Sequence, residues 1–192
     1  MLNEKIIDTV MLDGVEFTFV EKAKTFYAGS YFVAGDPNDI RNAEPDWEAS
    51  WKWFENNKHR IIGSITPDCV IGFSIYYTSD ERPCAAHHGQ ETSSPNQPED
   101  FHVIESEAAI LIKVKDTEAA WALTKKLTGY DCSVGLSPLF FMIWQLFCGG
   151  ESKYERTCDI VKGHHEAIYF YDNGDKYVTV PVKLKDVIPE QW

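Results

Sequence analysis

The sequence predicts an α+β fold. Two β-α-β-β units build one antiparallel sheet, with the helices on one face and a ligand pocket at the seam between the units. Three observations predict it. Strand-like and helix-like segments run in the order strands, helix, strand pair, then strands, helices, strand pair. The last pair is joined at "DNGD", and Asn-Gly between two strand-like runs is a strong hairpin signal. The chain has 192 residues, 44% hydrophobic and 14% aromatic, enough for one packed interior shared by two small units. No residue-level repeat accompanies the repeated order. A single domain over 1–192 is expected, with halves of about 14–92 and 100–185.

"GVEFTFVEKAKTFYAGSYFVAGD" is rich in β-branched and aromatic residues and predicts strands over Phe17 to Val20 and Thr25 to Ala34. Trp47, Trp51 and Phe54 then recur at i, i+4 and i+7, one stripe of a helix that Asp46 can cap. Such a stripe ordinarily packs into a core. "CVIGFSIYYTS", Cys69 to Ser79, reads as a strand, and a shorter one follows around Ala85 to Glu91. "SSPNQP" must be a loop. "SEAAILIKVKD" is a further strand. "DTEAAWALTKKLTGY" is a helix with Asp116 or Thr117 at its cap and Ala120, Leu123, Thr124 and Leu127 along one side. "SPLFFMIWQLF" fits a second, short helix.

Charge and composition exclude several classes. The net charge of −12 has no basic run to offset it, so direct nucleic-acid binding is not expected, while cationic ligands are favoured. The longest apolar stretch, "LFFMIWQLFCGG", is too short for a membrane span. "MLNEKIIDTVMLDG" carries acids and no long apolar run, unlike a signal peptide. Five cysteines without framework spacing suit a reducing compartment, so a soluble cytoplasmic protein is expected. Gly-x-Ser-x-Gly, phosphate-binding and His-Glu-x-x-His motifs are missing, and Cys132 in "TGYDCSVGLSP" has no base nearby in the sequence.

The closing hairpin carries the functional signal. With Asn173-Gly174 as a two-residue turn, Phe170 pairs with Tyr177, Ile168 with Thr179 and Glu166 with Pro181. One face then collects Ala167, Tyr169, Val178 and Val180, which suits packing under helices. The other collects Glu166, Ile168, Phe170, Tyr177 and Thr179, too apolar for open solvent and too polar for a core. A concave ligand surface fits that mixture. The alternative is an edge position where Glu166 meets only water.

Three stretches together resemble the effector-binding domain family, which includes DNA gyrase inhibitor-like proteins and the ligand-sensing halves of AraC-type and MerR-type regulators. They are "TFYAGSYFVAGD", "GFSIYY…AAHHGQET…PEDFHVIESEAAILIKV" and "HHEAIYFYDNGDKYVTVPVKL". The likeness spans roughly Phe17 to Leu184 and is that of a stand-alone member without a DNA-binding half. It implies paired β-α-β-β units with a pocket between them that holds bulky aromatic cations through a buried glutamate and aromatic rings. It also implies, for some stand-alone members, hydrolysis of reactive small molecules. Glu166 is the best match for the glutamate, although Ile168 stands where the family has tyrosine, with Tyr169 on the opposite face. Glu155 in "KYERT" is the second candidate. Phe73, Tyr76 or Tyr77, Tyr31 and Trp51 are expected aromatic neighbours, each of which also fits core packing.

A carboxylate in an apolar pocket is stabilised by a cation, and aromatic faces add cation–π attraction. The expected function is therefore binding of a small amphipathic, cationic aromatic compound. The alternatives are hydrolysis of such a compound by Glu166 with a tyrosine, and protein-binding inhibition. No cofactor is expected, and a homodimer is the one assembly considered. Cys84, His87 and His88, with Cys158, His164 and His165, form a rival constellation for zinc. Neighbours on a strand face opposite ways and the spacings match no zinc signature, so no metal is expected.

Overall fold

The computed structural model describes residues 4–35, 44–76, 83–133, 135–157 and 165–185. Its strands are β1 (Glu4–Leu12), β2 (Val15–Lys22), β3 (Thr25–Gly29), β4 (Val33–Ala34), β5 (Glu44–Pro45), β6 (Cys69–Tyr76), β7 (Pro83–Thr92), β8 (His102–Ser106), β9 (Ala109–Lys115), β10 (Tyr154–Arg156), β11 (Ala167–Tyr171) and β12 (Lys176–Leu184). The helices are α1 (Trp47–Asn57), α2 (Glu118–Thr128) and α3 (Ser137–Phe147). Local chemistry accounts for their starts. The Asp46 side chain accepts the Ala49 N–H at 2.9 Å, and Thr117 accepts that of Ala120 at 3.2 Å. α2 ends at Gly129, whose φ of +78° is the left-handed cap that glycine adopts without strain.

Apart from the small β4–β5 ladder, the strands form one antiparallel sheet in the order β1-β2-β9-β12-β11-β6-β7-β3-β8, with β10 on β12. Within it, β3-α1-β6-β7 and β9-α2-α3-β11-β12 are two β-α-β-β units. They meet where β6 pairs with β11, Gly72 opposite Ile168 and Val70 opposite Phe170. From that seam outward, each half places its middle strand, its last strand and then its first.

The helices share one face. Phe17, Phe19, Ile112, Val114, Val178, Val180 and Val182 form a buried cluster with Ala120 and Leu123 of α2 and Leu139, Met142 and Ile143 of α3. On the other half, Ser50 of α1 reaches the His88 ring on β7, which stands opposite Gly72 on the same face. Phe54, the last residue of the tryptophan stripe, is fully buried, whereas Trp47 and Trp51 are half-exposed with their rings against His88.

The inner face is polar and aromatic, and it is buried around Lys22, Glu91, His87 and Tyr169, while a hollow of about 350 Å³ opens farther along it beside Lys113 and Tyr177. Links of two residues join β2 to β3 and β8 to β9, although β2 and β9 lie on one side of the sheet and β3 and β8 on the other. The sheet must therefore curl until those ends meet. Lys22 holds them together. Its Nζ lies 3.4 Å from Glu91 Oε1 on β7, and it donates to Thr25 Oγ1 at 2.6 Å and Ser106 Oγ at 3.2 Å. The Tyr169 hydroxyl on β11 donates to the same carboxylate at 3.4 Å. Beside this pair, the Phe73 ring is stacked between His87 and His165 at centroid distances of 4.6 and 4.4 Å.

Two expectations need correction. The hairpin turn has three residues, not two. Tyr171 N–H donates to Asp175 O and Gly174 N–H to Tyr171 O, each at 2.9 Å, with Gly174 at φ +88°. The pairing is thus Phe170 with Lys176, Tyr169 with Tyr177, Ile168 with Val178 and Ala167 with Thr179. One residue of slip moves a whole strand to the other face, so Tyr177 and Thr179 join Ala167 and Tyr169 inside, opposite Glu166, Ile168 and Phe170, and the set expected under the helices is split: Val178 and Val180 pack there, Ala167 and Tyr169 do not. The second correction is a pair of strands that the sequence reading did not announce, β8 and β1, the latter because most of it is exposed. Tyr77, Ser79, Cys158 and His164 lie outside the described residues, as do the side chains of Tyr76 and Cys84.

Two outcomes follow from these buried polar groups. Removing one partner of a buried ion pair strands the other charge and costs about 3–5 kcal/mol. Urea unfolding should show Lys22→Met and Glu91→Gln each destabilised on that scale, with the double variant losing less than their sum. Strict additivity would mean the two groups do not stabilise each other. Burial, helped by neighbouring His102 and His165, holds the His87 imidazole well below its ordinary value. It is neutral when folded and charges near pH 6.5 when unfolded, so its contribution is present above pH 6.5 and lost as pH falls. One unit below that point, each such histidine costs about 1.4 kcal/mol. Unfolding free energy measured from pH 7.5 to 5.5 should fall more steeply in the wild type than in His87→Leu, and equal slopes would contradict the assignment.

Candidate functional site

The helix face has a gap at the seam. α1 covers one half and α2 and α3 the other, and between them lies a hollow of about 610 Å³. Its floor is Gly72 and Ser74 of β6, His88 of β7, and Ile168 and Phe170 of β11. Trp47 of α1 forms one wall. Leu136 and Ser137 at the start of α3, with Phe140, Phe141 and Trp144 along it, form the other. Arg156 at the end of β10 and Glu166 just before β11 stand at the polar end.

Local sequence explains these positions. Gly72 lets two rings lie close over the floor, since a Cβ there would stand 3.1 Å from the His88 ring and 3.4 Å from that of Phe170. Ser50 holds His88 through a 2.7 Å hydrogen bond to Nδ1 and is itself bonded to Ser30 at 2.6 Å. Burial lowers the His88 pKa to about 4, so at neutral pH the ring is uncharged. Trp51 sits edge-on to His88 and Phe170, at 5.0 and 5.4 Å, and supports the floor from the side.

The charged end is a single unit. Arg156 Nε–H donates to Glu166 Oε1 at 2.9 Å, and the guanidinium carbon lies 3.8 Å from the centre of the Trp144 ring. The Glu166 side chain is 12% exposed and that of Arg156 35%. Among the described residues, the site thus offers aromatic walls, a neutral imidazole and a carboxylate paired with the Arg156 cation. It can hold an apolar or aromatic body and orient a polar group. The described lining residues include no tyrosine and no cysteine.

The residues expected from the sequence divide between two faces. Glu166, Ile168 and Phe170 come together in the hollow, with Trp51 beside them. Phe73 borders it, but its ring is turned inward between the two histidines. Tyr177 is on the inner face, for the register reason given above, and Tyr31 packs there against His102 at 4.7 Å. Glu155 points away from the hollow and pairs with Lys183 at 2.9 Å, so "KYERT" delivers its arginine rather than its glutamate. His87 and His88 face opposite ways, as strand alternation requires, and no cluster of three metal-ligating side chains occurs among the described residues. Sequence reasoning missed Arg156 and the whole α3 wall. The aromatic spacing of "LFFMIW" was the available signal, and core packing would explain it equally well.

No protein-family model and no curated protein matches the chain. No helix among the described residues is long and apolar enough to cross a membrane. Among solved structures, the chain is similar to SAV2435 bound to tetraphenylphosphonium, at 8% identity and a TM-score of 0.45, over 87% of this chain and 93% of that one. It is also similar to an integron cassette protein from the mobile metagenome of Vibrio cholerae, at 10% identity and a TM-score of 0.40, over 87% and 95% of the two chains.

Proposed function

We propose that the chain binds a small amphipathic aromatic compound in the seam hollow, with a positively charged group of that compound directed at Glu166. The observation that carries this reading is the hollow itself. Its volume of about 610 Å³ is of ligand size, its walls are aromatic, and Glu166 is the one carboxylate among its described lining residues. A carboxylate with little access to water gains from an approaching cation, and indole and phenyl faces gain with it. The net charge of −12 adds long-range attraction for cations. Hydrolysis by Glu166 with a tyrosine draws less support. Among the described tyrosines, Tyr31 and Tyr177 lie across the sheet, and Arg156 already holds the carboxylate that would move the proton.

The test is a fluorescence titration with two probes of one shape, an N-methylpyridinium styryl dye and its neutral pyridine parent at pH 8. Glu166→Gln keeps the size of the side chain and removes its charge. A charge-assisted contact is worth roughly 1.5–3 kcal/mol, so the cationic dye should weaken about ten- to a hundredfold. The neutral parent should change little. Equal affinity of wild type and variant for the cationic dye would remove Glu166 from the site.

A further inference from the structure

A ligand cation in this hollow would seek two contacts, an aromatic face and the Glu166 carboxylate. Both are already made from within the chain. The Arg156 guanidinium lies 3.8 Å from the Trp144 ring centre and donates to Glu166 at 2.9 Å. We propose that Arg156 is the resident occupant of the cation subsite and that a cationic ligand binds by exchanging with it. This rests on the reading of the hollow as a ligand site and adds how that site selects charge.

The geometry provides for the exchange. Arg156 ends the short strand β10, which pairs with the end of β12, and its side chain is 35% exposed. Phe141, Trp144 and Arg156 also line a second, more open hollow beyond α3, where Gln145, Cys148 and Gly149 form the far side. A displaced guanidinium therefore has an adjacent open hollow to turn into, and Trp144 stays behind as the face for the incoming cation. A neutral aromatic ligand would fill the hollow and leave the ion pair intact. Cationic ligands thus bear a competition that neutral ones do not, and the arginine tunes the preference between them.

The experiment uses the same two dyes with wild type, Arg156→Met, Glu166→Gln, the double variant, and Ser74→Trp, which fills the floor of the hollow. Arg156→Met keeps an apolar stem against Trp144 and removes the competitor. It should tighten the cationic dye by about tenfold, the combined scale of one partly exposed ion pair and one cation–π contact, and leave the neutral dye nearly unchanged. The double variant should lose that gain. Arg156→Gln, which retains a polar head, is measured beside it to separate loss of charge from loss of hydrogen bonding. In wild type, the Arg156 Nε–H resonance should shift when the cationic dye saturates and stay in place with the neutral one. Cationic affinity that is unchanged or weaker in both Arg156 variants, while Ser74→Trp still blocks both dyes, overturns the exchange and leaves the hollow standing. If Ser74→Trp leaves both dyes bound, the hollow is not the site and the exchange falls with it.

Discussion

The Lys22–Glu91 ion pair is the interaction on which the arrangement depends. Two unit charges removed from water are costly on their own, and here that cost is offset by geometry. Lys22 is shared among Glu91, Thr25 and Ser106, and Glu91 also accepts from Tyr169. These residues come from β2, β3, β7, β8 and β11, in both halves of the sheet. Hydrophobic contact alone would let so wide a sheet settle at many curvatures. A buried charge pair with fixed hydrogen-bond directions selects one, and it fills the inner face around it with side chains. The larger hollow, of about 610 Å³, lies on the helix side, at the seam.

That space follows from symmetry and from one small residue. The two β-α-β-β units meet through their middle strands, so the helices of each unit cover the flanks and leave the join open. Gly72 keeps the floor of the join low by letting the His88 and Phe170 rings approach over it. The hydrogen-bonded chain from Ser30 through Ser50 to His88 fixes α1 against β7 on one side. On the other, the aromatic residues of α3 are too many for the core beneath them. Leu139, Met142 and Ile143 are buried there, while Phe141 is left 47% exposed at the wall.

Much of this was legible in the sequence, and the reasons are local. Asp46 and Thr117 announce their helices because a side-chain oxygen bonds the free N–H groups of the first turn whatever the tertiary context. Glu166, Ile168 and Phe170 share a face because alternation along one strand does not depend on its partner. Tyr177 did depend on it. Whether Asp172 belongs to the turn or to the strand decides the face of every residue in β12, and "DNG" is compatible with both choices. Arg156 was hidden for a related reason. β10 has only three residues, too few for a readable pattern, and its partner β12 is distant in sequence. β1 carries little apolar alternation because most of its side chains meet solvent.

The curled strand order also governs how the chain reaches this state. β2 is made early but finds its inner neighbour only when β9 exists, Phe17 opposite Val114. β6 waits longer still, for Ile168 to arrive opposite Gly72. The two halves therefore cannot be completed one after the other during synthesis, since each lacks a strand or a seam that the other supplies. Loop-closure entropy must be overcome across about half of the chain before the central pairing forms, and such non-local pairing slows folding. Until β11 docks, the β6 edge is an open ladder that other strands could pair with.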